Sequence, residues 1–376
     1  MYEILPNHAR LPVPPVPAID CSRAVTVTER IQTNICHVPY PNYFPTQVVP
    51  SPSRGFYVTG VQLHPDRLDL ASYVTVRYDT RGRGVWTNVV DAVLSASSPL
   101  AIAPDRRGNV VIAGASDQGF DVSKYSANGH RTWSIRHRLP SDAGLKCDLA
   151  VDPFGSVVVG YSGRTTTQNE VVRYSASGER LWKNQLEFRF DDIQTDSVGN
   201  VYAFGHRVQD FCDDEGPHDQ ITVKFARTGI PVWTNVIPLA YSARMAVDPS
   251  GRVLVACTTP SGANLFKYGR GGSLLWTNRY DQIDSFMALA VDSEGAAYLA
   301  GLKYGDPFMP NFSISRVVVK SSPGGRVRWS AEIPPGFLPN WSGPRFGRVN
   351  RQFATLVQDI VFGGQYDSAT ATFRER

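Results

Sequence analysis

The sequence predicts an all-β fold assembled from a repeated unit of four short antiparallel strands. A hairpin with a Trp in its second strand occurs six times, and the position that closes its first strand always precedes the Trp by 8 residues. A second hairpin with an Asp-x-x-Gly turn alternates with it. The Trp-to-Trp period is 43 to 53 residues. This pattern is typical of β-propeller blades, in which neighbouring sheets bury each other's faces.

The Trp hairpin provides the last two strands of each unit, called C and D. It is clearest at 219–235, where 222–225 alternates as a strand and 227–229 forms the turn. The six pairs of closing residue and Trp are Tyr78 and Trp86, Tyr125 and Trp133, Tyr174 and Trp182, Phe225 and Trp233, Tyr268 and Trp276, and Ser321 and Trp329. We expect each Trp to pack between neighbouring blades.

The Asp-x-x-Gly hairpin provides the first two strands, A and B. The Asp carboxylate accepts a backbone hydrogen bond two residues on, and the Gly supplies the positive φ that a tight turn requires. The pairs are Asp105 and Gly108, Asp152 and Gly155, Asp196 and Gly199, Asp248 and Gly251, and Asp292 and Gly295, with a degenerate copy at 48–60. Repetition in every unit favours turn chemistry over a catalytic or calcium-binding series.

Six units are explicit between Gln47 and Ile333. We assign 353–364 to strands A and B of a further blade, 368–376 to its strand C, and the N-terminal segment 24–38 to its strand D. Pairing the chain ends in this way closes the ring without exposed sheet edges. The sequence therefore predicts seven blades in a single domain over 20–376, after a Pro-rich tail at 1–19. Six blades with an extra strand pair is the alternative.

Composition excludes several classes of function. The chain has 376 residues, 19% charged residues and a net charge of +4 without a basic block, so no nucleic-acid partner is predicted. No apolar run reaches about 18 residues, which predicts no transmembrane segment. We expect a monomer. Among five cysteines there is no CxxC pair; Cys21 and Cys36 are either paired or two buried thiols.

The connections between strands B and C and between strands D and A vary in length and emerge on one face, where binding loops usually lie. Three B–C loops carry the candidate residues: His64 and Asp66 in unit 1, His206, Asp210, Asp213, Asp214, Glu215 and His218 in unit 4, and Tyr304, Phe308 and Phe312 in unit 6. The unit 4 loop is either a solvated acidic loop, which we favour, or a cation site formed by Asp213, Asp214, Glu215 and His218. The aromatic residues of unit 6 either grip a partner or sugar ring or fold back over the blade.

These loops favour a non-enzymatic binding or scaffold protein that recognises a protein or glycan through the B–C/D–A face. The alternative is a propeller enzyme, a lyase or hydrolase or a cofactor-dependent oxidoreductase, acting at the central funnel. No GxSxG motif is present and the histidines are dispersed, so no catalytic residue is assigned. No cofactor is expected beyond a possible structural cation.

The repeat, as in LAVDPFGSVVVG (149–160) followed by EVVRYSASGERLWKN (170–184), resembles the bacterial seven-bladed β-propeller repeat family, SBBP-like. It is more distantly similar to quinoprotein-type propeller repeats, although the adjacent cysteine pair of such enzymes is absent. The resemblance covers about 45–333. It implies a secreted or periplasmic bacterial protein of undefined role, whereas the N-terminus has no signal-peptide pattern. The compartment therefore stays open.

Overall fold

The computed structural model describes residues 20–28, 31–37, 43–52, 55–63, 70–79, 81, 83–93, 99–116, 119–139, 146–163, 168–207, 216–305, 314–333, 345–349, 353–362 and 365–374. All regular structure in these ranges is β, in 28 strands, apart from a single 3₁₀ residue. No helix in them is long and apolar enough to cross a bilayer. The predicted Pro-rich tail at 1–19 lies outside the described residues.

The first six blades follow the predicted order of strands A to D. Blade 1 comprises β3 (Tyr43–Pro50), β4 (Phe56–Leu63), β5 (Leu70–Tyr78) and β6 (Gly84–Val93). Blade 2 comprises β7 (Pro99–Pro104), β8 (Val110–Ser116), β9 (Gly119–Tyr125) and β10 (Arg131–Arg138). Blade 3 comprises β11 (Lys146–Val151), β12 (Val157–Ser162), β13 (Glu170–Tyr174) and β14 (Arg180–Gln185). Each is one four-stranded sheet.

Blades 4 and 5 share a strand. They comprise β15 (Arg189–Thr195), β16 (Val201–Arg207), β17 (His218–Phe225), β18 (Pro231–Val247), β19 (Val253–Thr259), β20 (Gly262–Tyr268) and β21 (Leu274–Arg279), which form one seven-stranded sheet in chain order. The 17 residues of β18 pair with β17 in their first part and with β19 in their last part. Blade 6 comprises β22 (Ser285–Val291), β23 (Ala297–Tyr304), β24 (Ile314–Ser321) and β25 (Val327–Ile333).

The terminal blade joins the two chain ends in one sheet, as predicted. Its strands are β1 (Asp20–Thr28), β2 (Ile31–His37), β26 (Arg345–Val349), β27 (Phe353–Phe362) and β28 (Gln365–Arg374), in the order β1-β2-β28-β27-β26. The described strands thus make seven blades of a β-propeller.

The strand assignment within the terminal blade was wrong in two respects. The segment 353–364 is not a strand A–B hairpin, because Phe353–Phe362 is one strand and strand A is the preceding Arg345–Val349. Phe362 pairs with Gln365, so strands β27 and β28 remain paired up to these two residues. The segment 24–38 holds two strands rather than one, which makes this sheet five-stranded.

Contacts between Cα atoms divide the chain into two compact units. The first compact unit comprises Met1–Asp20, His37–Ala203 and Arg227–Ile230, and the second compact unit comprises Cys21–Cys36, Phe204–Ala226 and Pro231–Arg376. The contacts below each lie within one unit. A single domain over 20–376 stays a prediction.

The Asp-x-x-Gly turns form by the chemistry that the sequence predicts. Asp105 Oδ1 accepts hydrogen bonds from the backbone N–H groups of Arg107 and Asn109, both at 2.9 Å. Gly108 N donates to Asp105 O at 3.0 Å with a φ of 80°. The same bonds recur in blades 3 to 6, and all five Asp residues are at most 5% exposed. These carboxylates therefore serve the turns.

Four of the described strand-D Trp residues contact the C–D turn of the next blade, which confirms the predicted place between blades for these four. In each of them the indole Nε1 donates to a turn carbonyl: Trp86 to Ala127 at 2.9 Å, Trp133 to Ala176 at 3.0 Å, Trp182 to Arg227 at 2.9 Å, and Trp233 to Arg270 at 2.9 Å. The indole face lies against the turn glycine. A Cβ added at Gly272 would stand 2.8 Å from Trp233 Cγ, closer than packing allows.

A buried strand-C cation joins the same turns, a feature that the sequence analysis missed. Lys124 Nζ lies 3.5 Å from Asp105 Oδ2 in its own blade and donates to Gly155 O at 3.4 Å and Ala176 O at 3.5 Å in the next. Arg173 in blade 3 bonds Asp152 and donates to Gly199 O at 2.7 Å. Because these charges are fully desolvated, each is stable only with its carboxylate and carbonyl partners in place.

Two adjacent glycines in the C–D turn of blade 5 test the Trp contact. Gly272→Ala must hold a φ of +85° and displace the Trp233 ring, so we expect it to lower the free energy of unfolding by about 2 kcal/mol. Gly271→Ala is the matched control, because a Cβ there meets nothing within 4 Å. Urea unfolding followed by Trp fluorescence measures both. Equal midpoints for the two variants would contradict the proposed role of the contact.

Candidate functional site

Three of the predicted site residues lie in the part of the chain that the structure describes: His206, His218 and Tyr304. The other eight lie outside the described residues, namely His64, Asp66, Asp210, Asp213, Asp214, Glu215, Phe308 and Phe312. Within the described ranges, no three His, Cys, Asp or Glu side chains are grouped so that they could hold a metal ion.

The structure brings His206 and His218 together. His206 lies near the end of β16 and His218 begins β17, so the two flank the unit 4 loop. Their rings stack with centroids 5.3 Å apart and planes at 25°. His218 is half-buried, and its Nε2 atom is enclosed without a hydrogen-bond partner. Neither histidine has a counterpart in the other units, so this pair is specific to blade 4.

The backbone around the pair is held by a buried amide. His218 pairs with Ala240 of β18, and Gln220 Nε2 donates to Ala240 O at 3.1 Å and His218 O at 3.4 Å. Gln220 is buried. This side chain therefore fixes the start of β17 against the adjoining strand.

A strained bend in β18 borders the pair. The register shifts between His218 and Gln220, so β18 bulges there. Leu239 has a φ of 50° and Ser242 a φ of 46°, values that non-glycine residues rarely adopt. Leu239 is 48% exposed and Tyr241 is 41% exposed. The D–A connection from blade 4 thus presents apolar side chains beside the histidines, at an energetic cost that often marks a functional surface.

Tyr304 lies at the end of β23 in blade 6, where its contacts are with blade 6 and its D–A connection. It is 42% exposed and pairs with Ile314, which is 41% exposed. Asp284 accepts from Tyr304 N at 2.8 Å and from Lys303 Nζ at 3.0 Å. The structure thus presents an exposed apolar pair at the base of the unit 6 loop.

The described groups with large pKa shifts are buried in the blades. Burial raises the pKa of the Cys147 and Cys257 thiols, both of them free and buried, so neither is a thiolate at neutral pH. Cys21 and Cys36 are predicted from the sequence to be either paired or two buried thiols, and both alternatives stay predictions.

His137 is a buried histidine that the sequence analysis did not single out. It is 3% exposed, stacks on Phe120 with centroids 4.4 Å apart, and its Nε2 lies 2.9 Å from Tyr174 Oη. Burial, with a contribution from Lys183, lowers the pKa of His137 to about 3. The period of two along β10 places it on the face of buried Ile135, and that alternation is the signal that would have identified it as a core residue.

A concave groove of about 610 Å³ lies between blades 2 and 3, within the first compact unit. Its lining includes Arg106, Arg107 and the exposed Phe154, together with Lys124 and Trp133. Lys124 and Trp133 both make the blade contacts described above. The groove therefore follows from blade packing at the turn end of the strands, away from the variable loops of these blades.

Comparison with known proteins identifies the fold alone. No family model matches the chain, and no curated protein matches it. Among solved structures, the β-propeller domain of the Trilobed protease from Pyrococcus furiosus matches with a TM-score of 0.56 and 9% identity over 88% of this chain and 95% of that one. The Dos1 propeller matches with a TM-score of 0.53 and 11% identity over 87% of this chain and 78% of that one. The chain is therefore a β-propeller protein, and the SBBP-like resemblance stays a prediction.

The buried His137 makes stability depend on pH. The unfolded chain binds a proton at this residue below about pH 6.5 and the native chain does not until about pH 3, so stability falls as the pH drops between these values. As the pH falls, we expect the free energy of unfolding of the wild type to drop by about 1.4 kcal/mol per pH unit more than that of His137→Gln. Urea unfolding from pH 7.5 to 4.5 measures it, and the exposed His130→Gln is the control. Parallel pH profiles for wild type and His137→Gln would contradict the assignment.

Proposed function

We propose that this propeller is a binding protein that recognises a protein or glycan partner through its B–C/D–A loop face. The observation that carries the proposal is how the polar side chains divide along the strands. Those repeated from blade to blade are engaged in turns and blade contacts, at the A–B and C–D ends. The non-repeated residues His206, His218 and Tyr304 lie at the B–C ends, next to the segments whose length varies.

The contacts at the B–C ends support this assignment. Tyr304 and Ile314 expose apolar surface, while Asp284 holds the Tyr304 backbone in place. Leu239 and Tyr241 likewise expose apolar surface beside the histidine pair. Aromatic and apolar side chains on a rigid backbone provide contact area at low entropic cost, which suits either a protein surface or a sugar ring.

The titratable groups support binding rather than catalysis. Catalytic groups need perturbed pKa values in a cleft that substrate reaches. Among the described residues, His137, Cys147 and Cys257 have shifted pKa values because they are buried in blade interiors, where they are desolvated. Their shifts follow from packing, so they do not point to an enzyme.

Photo-crosslinking from the two ends of one strand tests the binding face. A benzoylphenylalanine replaces Tyr304 at the end of β23 or, as matched control, the exposed Ser293 in the turn that precedes β23. Both variants are exposed to a glycan array and to lysate, and adducts are identified by mass spectrometry. We expect a defined adduct from position 304 and none from position 293. The same adducts from both positions, or adducts from 293 alone, would refute the assignment of the face.

A further inference from the structure

We propose that His206 and His218 form a binding site for a divalent transition-metal ion such as Zn²⁺. The site goes beyond the proposed partner binding, because it needs only this chain and the ion. Two imidazoles on neighbouring strands, with centroids 5.3 Å apart, supply the ligands. Both histidines belong to the second of the two compact units, in its segment Phe204–Ala226.

The spacing of the rings fits a shared ion. Zinc–imidazole bonds are about 2.0–2.1 Å, so two ligating nitrogens at a tetrahedral angle stand about 3.3 Å apart. The rings of His206 and His218 lie stacked, with centroids 5.3 Å apart and planes at 25°. Binding one ion therefore requires rotation about χ1 and χ2, so that a nitrogen of each ring turns toward it.

The enclosed nitrogen of His218 is the second observation. Its Nε2 atom is shielded from solvent and has no hydrogen-bond partner. A buried polar atom left unpaired costs about 1–3 kcal/mol and calls for an explanation, of which a bound ion is one. A metal ion at this nitrogen would satisfy it.

The surroundings hold the ligand backbone in place. Gln220 donates to the carbonyls of His218 and Ala240, and the Arg207 guanidinium lies 3.9 Å from the Asp219 carboxylate between neighbouring strands. A site on paired strands keeps its ligands within the narrow range that coordination needs.

The ligand type selects the metal. Imidazole suits zinc, copper and nickel, whereas calcium and magnesium require oxygen ligands. The cation site considered from sequence combined Asp213, Asp214 and Glu215 with His218, a set of mostly oxygen ligands. The histidine pair instead predicts a transition metal, bound with the affinity of a two-ligand site and open to exchange.

Calorimetric titration of the purified, chelator-treated full chain with ZnCl₂ at pH 7.5 tests the site. We expect one equivalent to bind, and His206→Gln and His218→Gln each to weaken the affinity by at least about tenfold. His130→Gln, at an exposed histidine in blade 2, is the matched control and should leave the affinity unchanged. CaCl₂ should show no heat that depends on either histidine.

A second measurement on the wild-type chain keeps the proposal testable where a variant fails to fold. Zinc should protect His206 and His218, but not His130, from carbethoxylation by diethyl pyrocarbonate, as mapped by peptide mass spectrometry. The proposal is overturned if the wild type binds no zinc up to about 1 mM, if both Gln variants keep the wild-type affinity, or if zinc protects neither histidine.

Discussion

The contact between a strand-D indole and the C–D turn glycine of the next blade is the interaction on which blade packing depends. A flat ring such as that of Trp233 fits only where the turn residue lacks a Cβ, as at Gly272. The indole N–H also donates to the carbonyl of Arg270, and Lys224 donates to the same oxygen at 3.1 Å. Apolar packing and a charge-assisted hydrogen bond thus act at one point, and neither tolerates a shift of the turn.

This contact explains why the A–B and C–D turns hardly vary in length. Each turn must present a carbonyl and a glycine to its neighbour, and the Asp-x-x-Gly turn must also present a carboxylate to a buried cation, as Asp152 does to Arg173. The B–C and D–A connections differ in length and sequence from blade to blade. For this reason we place the proposed binding face there.

Sequence reasoning selected His206, His218 and Tyr304 by their place in variable loops, but it did not pair the two histidines. It associated His218 with the acidic residues of the same loop, which lie outside the described residues, and the structure adds the ring contact with His206, 12 residues earlier. Separation along the chain hid the pair, because residues at adjoining ends of neighbouring strands become close only when those strands pair. The buried cations, such as Lys124, were missed for a similar reason: a lysine in a strand is usually solvated, and its partners lie in two different blades.

The sequence by itself determined the repeat, the hairpin turns, the place of the Trp residues and the joining of the chain ends in one sheet. The first three follow from local chemistry: side-chain alternation, a carboxylate that caps its own turn, and a glycine with positive φ. The joining of the chain ends follows from the strand that the last repeat lacks and from the cost of exposed sheet edges. Only the tertiary structure decided the strand boundaries of the terminal blade, the partners of the buried cations and the meeting of two histidines. Each of these depends on which strands lie side by side, and hydrogen-bond register between distant segments leaves no local trace in the residues themselves.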